Sequence, residues 1–211
     1  MELDQILNFV FNIDRYLSDI IRIFGPLSYL ILFIVIFLET GIVLAPFLPG
    51  DSLLFIVGVF TAHGSFNLAL IYAFLVIAAI LGDSVNYVIG SYFGENVFSR
   101  SRLFKREYLE KTKKFYAKHG GKTIFFARFI PIIRTFAPFV AGVGKMPYKK
   151  FISYNVIGGI VWVSFFLLAG YFFGEIPFVK ENFSLVVLII ILISLLPLIL
   201  GILKNIKNKN T

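Results

Sequence analysis

The chain has 211 residues, of which 58% are hydrophobic and 15% are charged, with 26 Phe and no Cys. A soluble globular protein carries about 25% charged residues, so this composition predicts one compact membrane domain. The lack of Cys excludes disulfides, thiolate metal sites and Cys nucleophiles. The net charge of +8 does not indicate nucleic-acid binding, because the basic residues flank apolar segments and form no soluble basic face.

The N-terminal segment, 3–24, places apolar residues at helical spacing with polar residues on the other face. This pattern predicts an amphipathic helix in the membrane interface, within a first region at 1–25, that ends at Gly25-Pro26. The segment has no basic stretch followed by an apolar core, so we expect no cleaved signal peptide. Residues 27–45 are apolar apart from Glu39 and Gly41, which predicts a membrane helix.

Pro46, Pro49 and Gly50 end that helix, and the apolar segment that follows, 52–62, has only 11 residues. A membrane helix needs about 20 residues to cross a hydrocarbon core of about 30 Å. A short apolar segment after such a break predicts a re-entrant hairpin near 46–62. The next segment, 66–93, is long enough to span and contains Asp83.

The one extended polar stretch, 95–122, has nine Lys/Arg against three Glu. A second interrupted apolar segment follows at 123–144, with Pro131 and Pro138, and predicts a second re-entrant hairpin. Two further spans are predicted, at 151–173 and 184–203. The main domain is therefore expected at 26–175, with a C-terminal helix and basic tail at 176–211.

The positive-inside rule places the basic stretch, 95–122, and both termini in the cytoplasm. The first hairpin then enters from outside and the second from the cytoplasm, and of 20 Lys/Arg only Lys180 falls outside. A hairpin followed by a spanning helix, repeated in opposite orientation, is the architecture of secondary transporters. We therefore predict an all-α membrane protein with an inverted repeat and a polar cavity where the two hairpins meet.

Five ionisable side chains lie in otherwise apolar segments, and a charge at the bilayer centre costs about 3 kcal/mol. Each must pair, face water or hold a charged ligand. Glu39 lies about 18 Å into its helix, and could also be a protonated carboxyl that only packs. The five residues are Glu39, Asp51, Asp83, Arg128 and Arg134.

The other four charges each leave alternatives open. Asp51 could cap the helix that begins at Ser52, and Asp83 could form a local polar cluster with Asn86 and Tyr87. Arg128 lies about 9 Å along the chain from Lys122 and could reach the cytoplasmic surface. Arg134 lies too deep for that, so it either pairs with Glu39 or Asp51, or holds a phosphate, which suits its forked geometry.

Enzyme motifs are weak in this chain. Gly50-Asp51-Ser52-Leu53 matches the signature of a family of Ser hydrolases, but His63 and His119 both lie in loops and neither is in the expected context for a base. Asp51 and Asp83 resemble an aspartyl protease pair, although a Pro before Gly-Asp fits poorly. With no metal or nucleotide motif either, we expect no catalytic residues, metal or cofactor.

Two segments, 37–51 and 126–142, closely resemble the DedA family. Further matches continue the pattern, and the resemblance spans roughly 27–175. It implies two opposed hairpins, as in eukaryotic lipid scramblases, and transport of undecaprenyl phosphate or phosphatidylethanolamine. Gly90-Ser91 stands where members often have Gly-Arg, so a headgroup contact or ion pair of that Arg is missing. The further matching residues are Gly82, Asp83, Gly90, Met146, Phe151, Asn155, Gly158 and Trp162.

The sequence thus predicts a flippase- or scramblase-like transporter of a phosphate-headed lipid in the bacterial cytoplasmic membrane, driven by the proton gradient. Its partners would be anionic or phosphate-headed lipids and protons, and a homo-oligomer stays open. The alternatives are a proton-coupled ion exchanger and a membrane scaffold that recruits partners through 95–122. We assign phosphate binding to Arg128 and Arg134, proton coupling to Glu39 and Asp51, and supporting roles to Asp83, Asn155, Pro49, Gly50, Pro131 and Pro138.

Overall fold

Helices make up all the regular elements in the described part of the chain, as expected for an all-α membrane protein. The computed structural model describes residues 13–42, 50–100 and 120–174, together with 176, 177, 179, 185, 186 and 188–190. The helices are α1 (Ile13–Phe24), α2 (Ser28–Gly41), α3 (Gly50–Ala62), α4 (Leu68–Arg100), α5 (Gly121–Ala127), α6 (Pro131–Val143) and α7 (Tyr148–Phe173).

In the described part of the chain, three helical segments are long and apolar enough to cross a membrane: Ile21–Gly41, Leu68–Tyr92 and Tyr148–Phe173. They correspond to the spans predicted at 27–45, 66–93 and 151–173. The last predicted span, 184–203, lies mostly outside the described residues, as does most of the basic stretch at 95–122. The chain is therefore a membrane protein with several apolar helices.

The boundary between α1 and α2 is a single 3-10 turn, Gly25–Leu27. Gly25 has a φ of 51°, a backbone conformation that glycine adopts at little cost. The N–H of Ser28 donates to the carbonyls of Gly25 and Pro26, so α2 starts directly after the turn. The predicted end of the amphipathic helix at Gly25-Pro26 is confirmed, while the last turn of α1 belongs to the first candidate span.

The two predicted hairpin segments contain short apolar helices. Helix α3 has 13 residues, and the chain before it, 43–49, lies outside the described residues. In the second segment, α5 and α6 are separated by the break at 128–130, and Pro131 begins α6. Proline is favourable at the first position of a helix because its missing N–H has no helical partner there.

Large apolar side chains are exposed along the long helices. On α2, Leu30, Ile34 and Leu38 follow one another at intervals of four and form one stripe, which Ile42 continues directly after the helix. Leu32 and Ile36 are buried on the other side. Exposed apolar surface of this extent is typical of membrane proteins and would aggregate in water. The stripe indicates the lipid-facing side of α2.

The chain divides into two compact units, and helices α2, α4 and α7 contribute one part to each. The first unit consists of the described residues within 1–33, 49–75 and 163–211. In it α3 crosses α7 at two glycines: a Cβ on Gly58 would collide with the carbonyl oxygen of Leu167, and one on Gly170 with that of Phe55. Only glycine permits backbones to approach this closely.

The second unit consists of the described residues within 34–48 and 76–162. In it α6 crosses α4, again at two glycines: a Cβ on Gly142 would collide with the carbonyl oxygen of Tyr87, and one on Gly90 with that of Phe139. The ring of Tyr87 stacks on Phe151 at 4.6 Å, and its hydroxyl donates to the carbonyl of Met146. This unit contains the candidate site.

Candidate functional site

Glu39 and Arg134 form a buried ion pair in the second unit. Nη2 of Arg134 donates to Oε1 of Glu39 at 2.6 Å, and the two residues are 1% and 4% exposed. Glu39 lies near the end of α2, and Arg134 lies in the first turn of α6. Glu39, one of the two carboxylates predicted as partners of Arg134, therefore pairs with it. Removing either member would leave a buried charge without its partner.

Arg128 is held by oxygen atoms from two helices. Its Nη1 lies 2.8 Å from Oδ2 of Asp83 and 2.6 Å from Oδ1 of Asn155. Nη1 also donates to the carbonyl of Asn155, and Nη2 to that of Ala79, each at 3.2 Å. Because Asp83 and Ala79 belong to α4 and Asn155 to α7, Arg128 ties the break between α5 and α6 to both helices.

Burial overturns one interpretation of Arg128. The side chain is 2% exposed, so the prediction that it could reach the cytoplasmic surface is wrong. The side chain passes beside two glycines of α7: a Cβ on Gly159 would lie 3.5 Å from Nη2 of Arg128 and one on Gly158 3.4 Å from Cδ, which are ordinary van der Waals distances. Its charge is stabilised by the oxygens of Asp83 and Asn155 and not by water at the membrane surface.

The indole of Trp162 lies against both guanidinium groups. Cζ of Arg134 is 4.6 Å from the ring centroid and Cζ of Arg128 is 5.7 Å from it. Trp162 is fully buried. A guanidinium over an indole face at these distances is attracted by the negative face of the ring, most strongly where water is excluded. Trp162 therefore links the two ion pairs.

Asn86 supports the backbone beside the Glu39–Arg134 pair. Its Nδ2 donates to the carbonyl of Thr40 at 3.2 Å and to that of Thr135 at 2.7 Å. Thr40 directly follows Glu39 in α2, and Thr135 directly follows Arg134 in α6. One amide of α4 therefore holds the main chain next to both members of the pair.

A glycine contact brings α2 and α4 together beside the two carboxylates. A Cβ on Gly41 would lie 3.3 Å from Cα of Gly82, and one on Gly82 would collide with Oγ1 of Thr40. Asp83 directly follows Gly82, and Glu39 lies two residues before Gly41. The small residues thus allow two helices that each contribute a carboxylate to pack closely.

The cluster is balanced in charge when all its members are ionised, since Glu39 and Asp83 offset Arg128 and Arg134. Such a set is tolerated in a medium of low dielectric because each charge has an opposite partner with hydrogen bonds to it. Adding or removing one charge would be costly unless a second charge moved with it.

The remaining predicted residues occupy different surroundings. Asp51 lies in the first unit, 6% exposed, inside the first turn of α3 and not before it. It is therefore not the cap of a helix beginning at Ser52, although a carboxylate there favours the helix N-terminus. Gly50 begins α3, Pro138 lies inside α6 and is buried, and Pro49 lies outside the described residues.

The predicted local cluster of Asp83, Asn86 and Tyr87 does not form. These three side chains instead contact Arg128, two backbone carbonyls and the carbonyl of Met146, respectively. Their spacing places them on one face of α4, but each side chain reaches a different neighbour. Their spacing therefore predicted the shared helix face but not the residues that each side chain contacts.

Trp162 was missed as a site residue, although the sequence contained a signal for it. Asn155, Gly158, Gly159 and Trp162 are spaced by three or four residues and share one face of α7. A polar residue, two glycines and the one Trp of the chain on a single face of an apolar helix indicate a site. Helical spacing counted from Asn155 would have found it.

Apolar spanning helices around buried, paired charges define the class: an integral membrane protein with a polar site within its helices. The VTT domain model matches residues 48–172, and the chain belongs to this family, which includes DedA. It is 50% identical over 204 residues to Protein DedA of Escherichia coli strain K12, covering 95% of this chain and 93% of that protein. The resemblance found in the sequence is thereby confirmed.

Two further relatives from the same strain are described as inner membrane proteins. The chain is 32% identical to YghB over 177 residues, covering 83% of this chain and 81% of YghB. It is 34% identical to YqjA over 151 residues, covering 71% of this chain and 69% of YqjA. No solved structure matches the chain.

Proposed function

We propose that this protein moves a phosphate-headed lipid across the bacterial inner membrane, with transport coupled to protons. The observation that carries the proposal is the buried set of two carboxylates and two guanidinium groups around Trp162. Undecaprenyl phosphate and phosphatidylethanolamine both present the required phosphate. The location is supported by the relatives YghB and YqjA, which are named inner membrane proteins. The proposal includes the predicted orientation, with both termini in the cytoplasm.

Proton coupling follows from the charge balance of the site. If a phosphate with one negative charge joins the neutral set of Glu39, Asp83, Arg128 and Arg134, the set becomes negative by one unit. Uptake of one proton by a carboxylate restores neutrality and so avoids the free-energy cost of a net charge in a medium of low dielectric constant. We therefore expect one proton to accompany each negative charge of the headgroup. The membrane potential should then act only on the net charge that the protons do not neutralise.

Glu39 and Arg134 are the pair that exchanges partners in this scheme. While Glu39 is ionised, its carboxylate accepts from the N–H groups of Arg134. Once Glu39 is protonated, the guanidinium of Arg134 can bind the phosphate, for which its geometry is well suited. Arg128 contributes a second positive charge, and Asp83 and Asn155 orient it. Asp51, buried at the start of α3, is proposed as the second proton-coupling carboxylate.

An inverted repeat is part of the proposal, and the glycine crossings support it. In the first unit Phe55 and Gly58 of α3 meet Leu167 and Gly170 of α7; in the second, Phe139 and Gly142 of α6 meet Tyr87 and Gly90 of α4. Each crossing uses a glycine three residues after its contact residue on both helices. The pattern equates α3 with α6 and α4 with α7, as expected for a hairpin and spanning helix that occur twice.

The test is reconstitution of the full chain in liposomes with labelled undecaprenyl phosphate or phosphatidylethanolamine, with and without a proton gradient. We expect transfer of at least one lipid that rises with the gradient and is lost in Arg134→Ala. The matched control is Lys150→Ala, which removes an exposed basic residue of α7 and is expected to transport as the parent does.

Two outcomes would reject the proposal. Transfer of neither lipid with ion flux intact would favour the proton-coupled ion exchanger. Full transport by Arg134→Ala would remove the assigned site, even if the protein moved lipid by another route.

A further inference from the structure

The indole of Trp162 contacts both guanidinium groups of the site. Cζ of Arg134 lies closer to its centroid, at 4.6 Å, than Cζ of Arg128 does, at 5.7 Å. Both arginines and Trp162 are buried, so these contacts are little screened by water. The indole therefore acts on Arg134 more strongly than on Arg128.

An aromatic face holds a guanidinium in a way that a carboxylate cannot. The five N–H donors of Arg lie in the plane of the group, whereas the indole contacts its face. The ring carries no net charge and takes up no proton in the accessible range, so this attraction does not change when Glu39 is protonated. Arg134 can thus be held in place while its N–H fork exchanges one anion for another.

Arg128 is held differently, by four oxygen contacts from α4 and α7. Losing the indole would leave those contacts in place. The consequence of removing Trp162 should therefore fall on Arg134, whose guanidinium lies closer to the ring.

We propose that Trp162 is a positioning residue of the phosphate site: its indole keeps the Arg134 guanidinium in place while Glu39 is exchanged for the headgroup phosphate. This inference rests on the proposed function for the identity of the anion. The ligand class is a phosphate ester in a lipid headgroup, and the function of the ring is to fix the cation without competing for its donors.

The first measurement uses the fact that the chain contains a single Trp. Selective excitation of tryptophan in the purified full chain reports on Trp162 alone. We expect its emission to change in Arg134→Gln, which removes the cation over the ring, and to stay close to that of the parent in Glu39→Gln, which leaves that cation in place. Lys150→Ala is the control and should leave emission unchanged. An emission spectrum that is the same in Arg134→Gln and in the parent would overturn the inference.

The second measurement is calorimetric binding of short-chain phosphatidic acid to the full chain in detergent. We expect Trp162→Leu to weaken binding about tenfold and Trp162→Phe about threefold, since a phenyl face attracts cations less than an indole. In an Arg134→Gln background, Trp162→Leu should cause no further loss. Phe151→Leu, which changes a buried aromatic residue of α7 that stacks on Tyr87, is the control and should leave affinity unchanged.

These measurements separate a positioning function from simple packing. Equal weakening by Trp162→Leu with and without Arg134, or none at all, would overturn the inference. If Trp162→Leu fails to fold, Trp162→Phe carries the same comparison in both backgrounds. Binding that follows the expected pattern without lipid transfer in liposomes would reject the transport proposal and leave the positioning inference intact.

Discussion

Nη2 of Arg134 donates to Oε1 of Glu39 across 2.6 Å, although the two residues lie 95 positions apart in the chain. Both are almost fully buried. The pair joins the end of α2 to the start of α6, so it contributes to packing as well as to any exchange of partners. Stability and transport can therefore be tested separately at these two positions.

Glu39→Gln should lower the stability of the protein and yet increase its affinity for phosphate. Removing the carboxylate leaves Arg134 buried without its charged partner, a change that costs about 3–5 kcal/mol in other buried pairs. The thermal midpoint in detergent should fall and should recover when short-chain phosphatidic acid is added. The double variant Glu39→Gln/Arg134→Gln should regain stability without lipid. A double variant less stable than either single variant would contradict the pairing.

Phosphate binding should strengthen as the pH falls, because each bound negative charge is accompanied by a proton taken up by a carboxylate of the site. Within the described residues, Glu39 is paired with Arg134 of α6 and interacts electrostatically with Arg128 at the α5–α6 break, which is itself paired with Asp83 of α4. In Glu39→Gln the dependence on pH should flatten, since the carboxylate that accepts the proton is gone. Calorimetric titrations at several pH values measure this. An unchanged slope in Glu39→Gln would assign the proton to another group.

Arg128→Lys should destabilise the protein even though it conserves the charge. A lysine ammonium is a point charge, and it cannot contact Asp83, Asn155 and the carbonyl of Ala79 with the fixed fork of a guanidinium. We expect a loss of about 2 kcal/mol in unfolding free energy, in the range for a broken hydrogen bond to a charged group. Thermal unfolding followed by circular dichroism measures it. Lys149→Arg, at an exposed position of α7, is the control.

The sequence predicted the helices better than the contacts between them. Hydrophobic length and Pro/Gly breaks placed α2, α3, α7 and the start of α4 within a few residues, because those signals are local, whereas α4 continues to Arg100, past its predicted end at 93. The partners of Arg128 and Arg134 depend on how closely helices approach, which is set by small residues such as Gly82 and Gly159. The distance along the chain from Lys122 limited how deep Arg128 could lie in the membrane. It could not show that Asp83 and Asn155 lie within hydrogen-bonding distance of Arg128.

Asn86→Asp should destabilise the protein more than Asn86→Ala. The Nδ2 group donates to the carbonyls of Thr40 and Thr135; a carboxylate would present oxygen to both and add a buried negative charge. We expect a loss of about 1–3 kcal/mol for Asn86→Ala and a larger one for Asn86→Asp. Ser153→Ala, which removes an exposed hydrogen bond to the carbonyl of Lys149, should stay within about 0.5 kcal/mol of the parent. Thermal midpoints of the four proteins give the order.

Gly58→Ala and Gly142→Ala should destabilise the protein by similar amounts, because the two glycines occupy equivalent positions in the crossings of α3 on α7 and α6 on α4. In each case the new methyl group would meet a backbone carbonyl, which cannot move aside as the end of a flexible side chain can. Overpacking of this kind costs about 1–3 kcal/mol.

Gly158→Ala is the matched control, since a Cβ there would meet its nearest neighbour, Cδ of Arg128, at 3.4 Å, an ordinary contact. The change should be neutral or slightly stabilising through helix propensity. Thermal unfolding in detergent compares the three variants. A large loss in Gly58→Ala with none in Gly142→Ala would show that the two crossings differ in kind, and it would remove the support that they give to an inverted repeat.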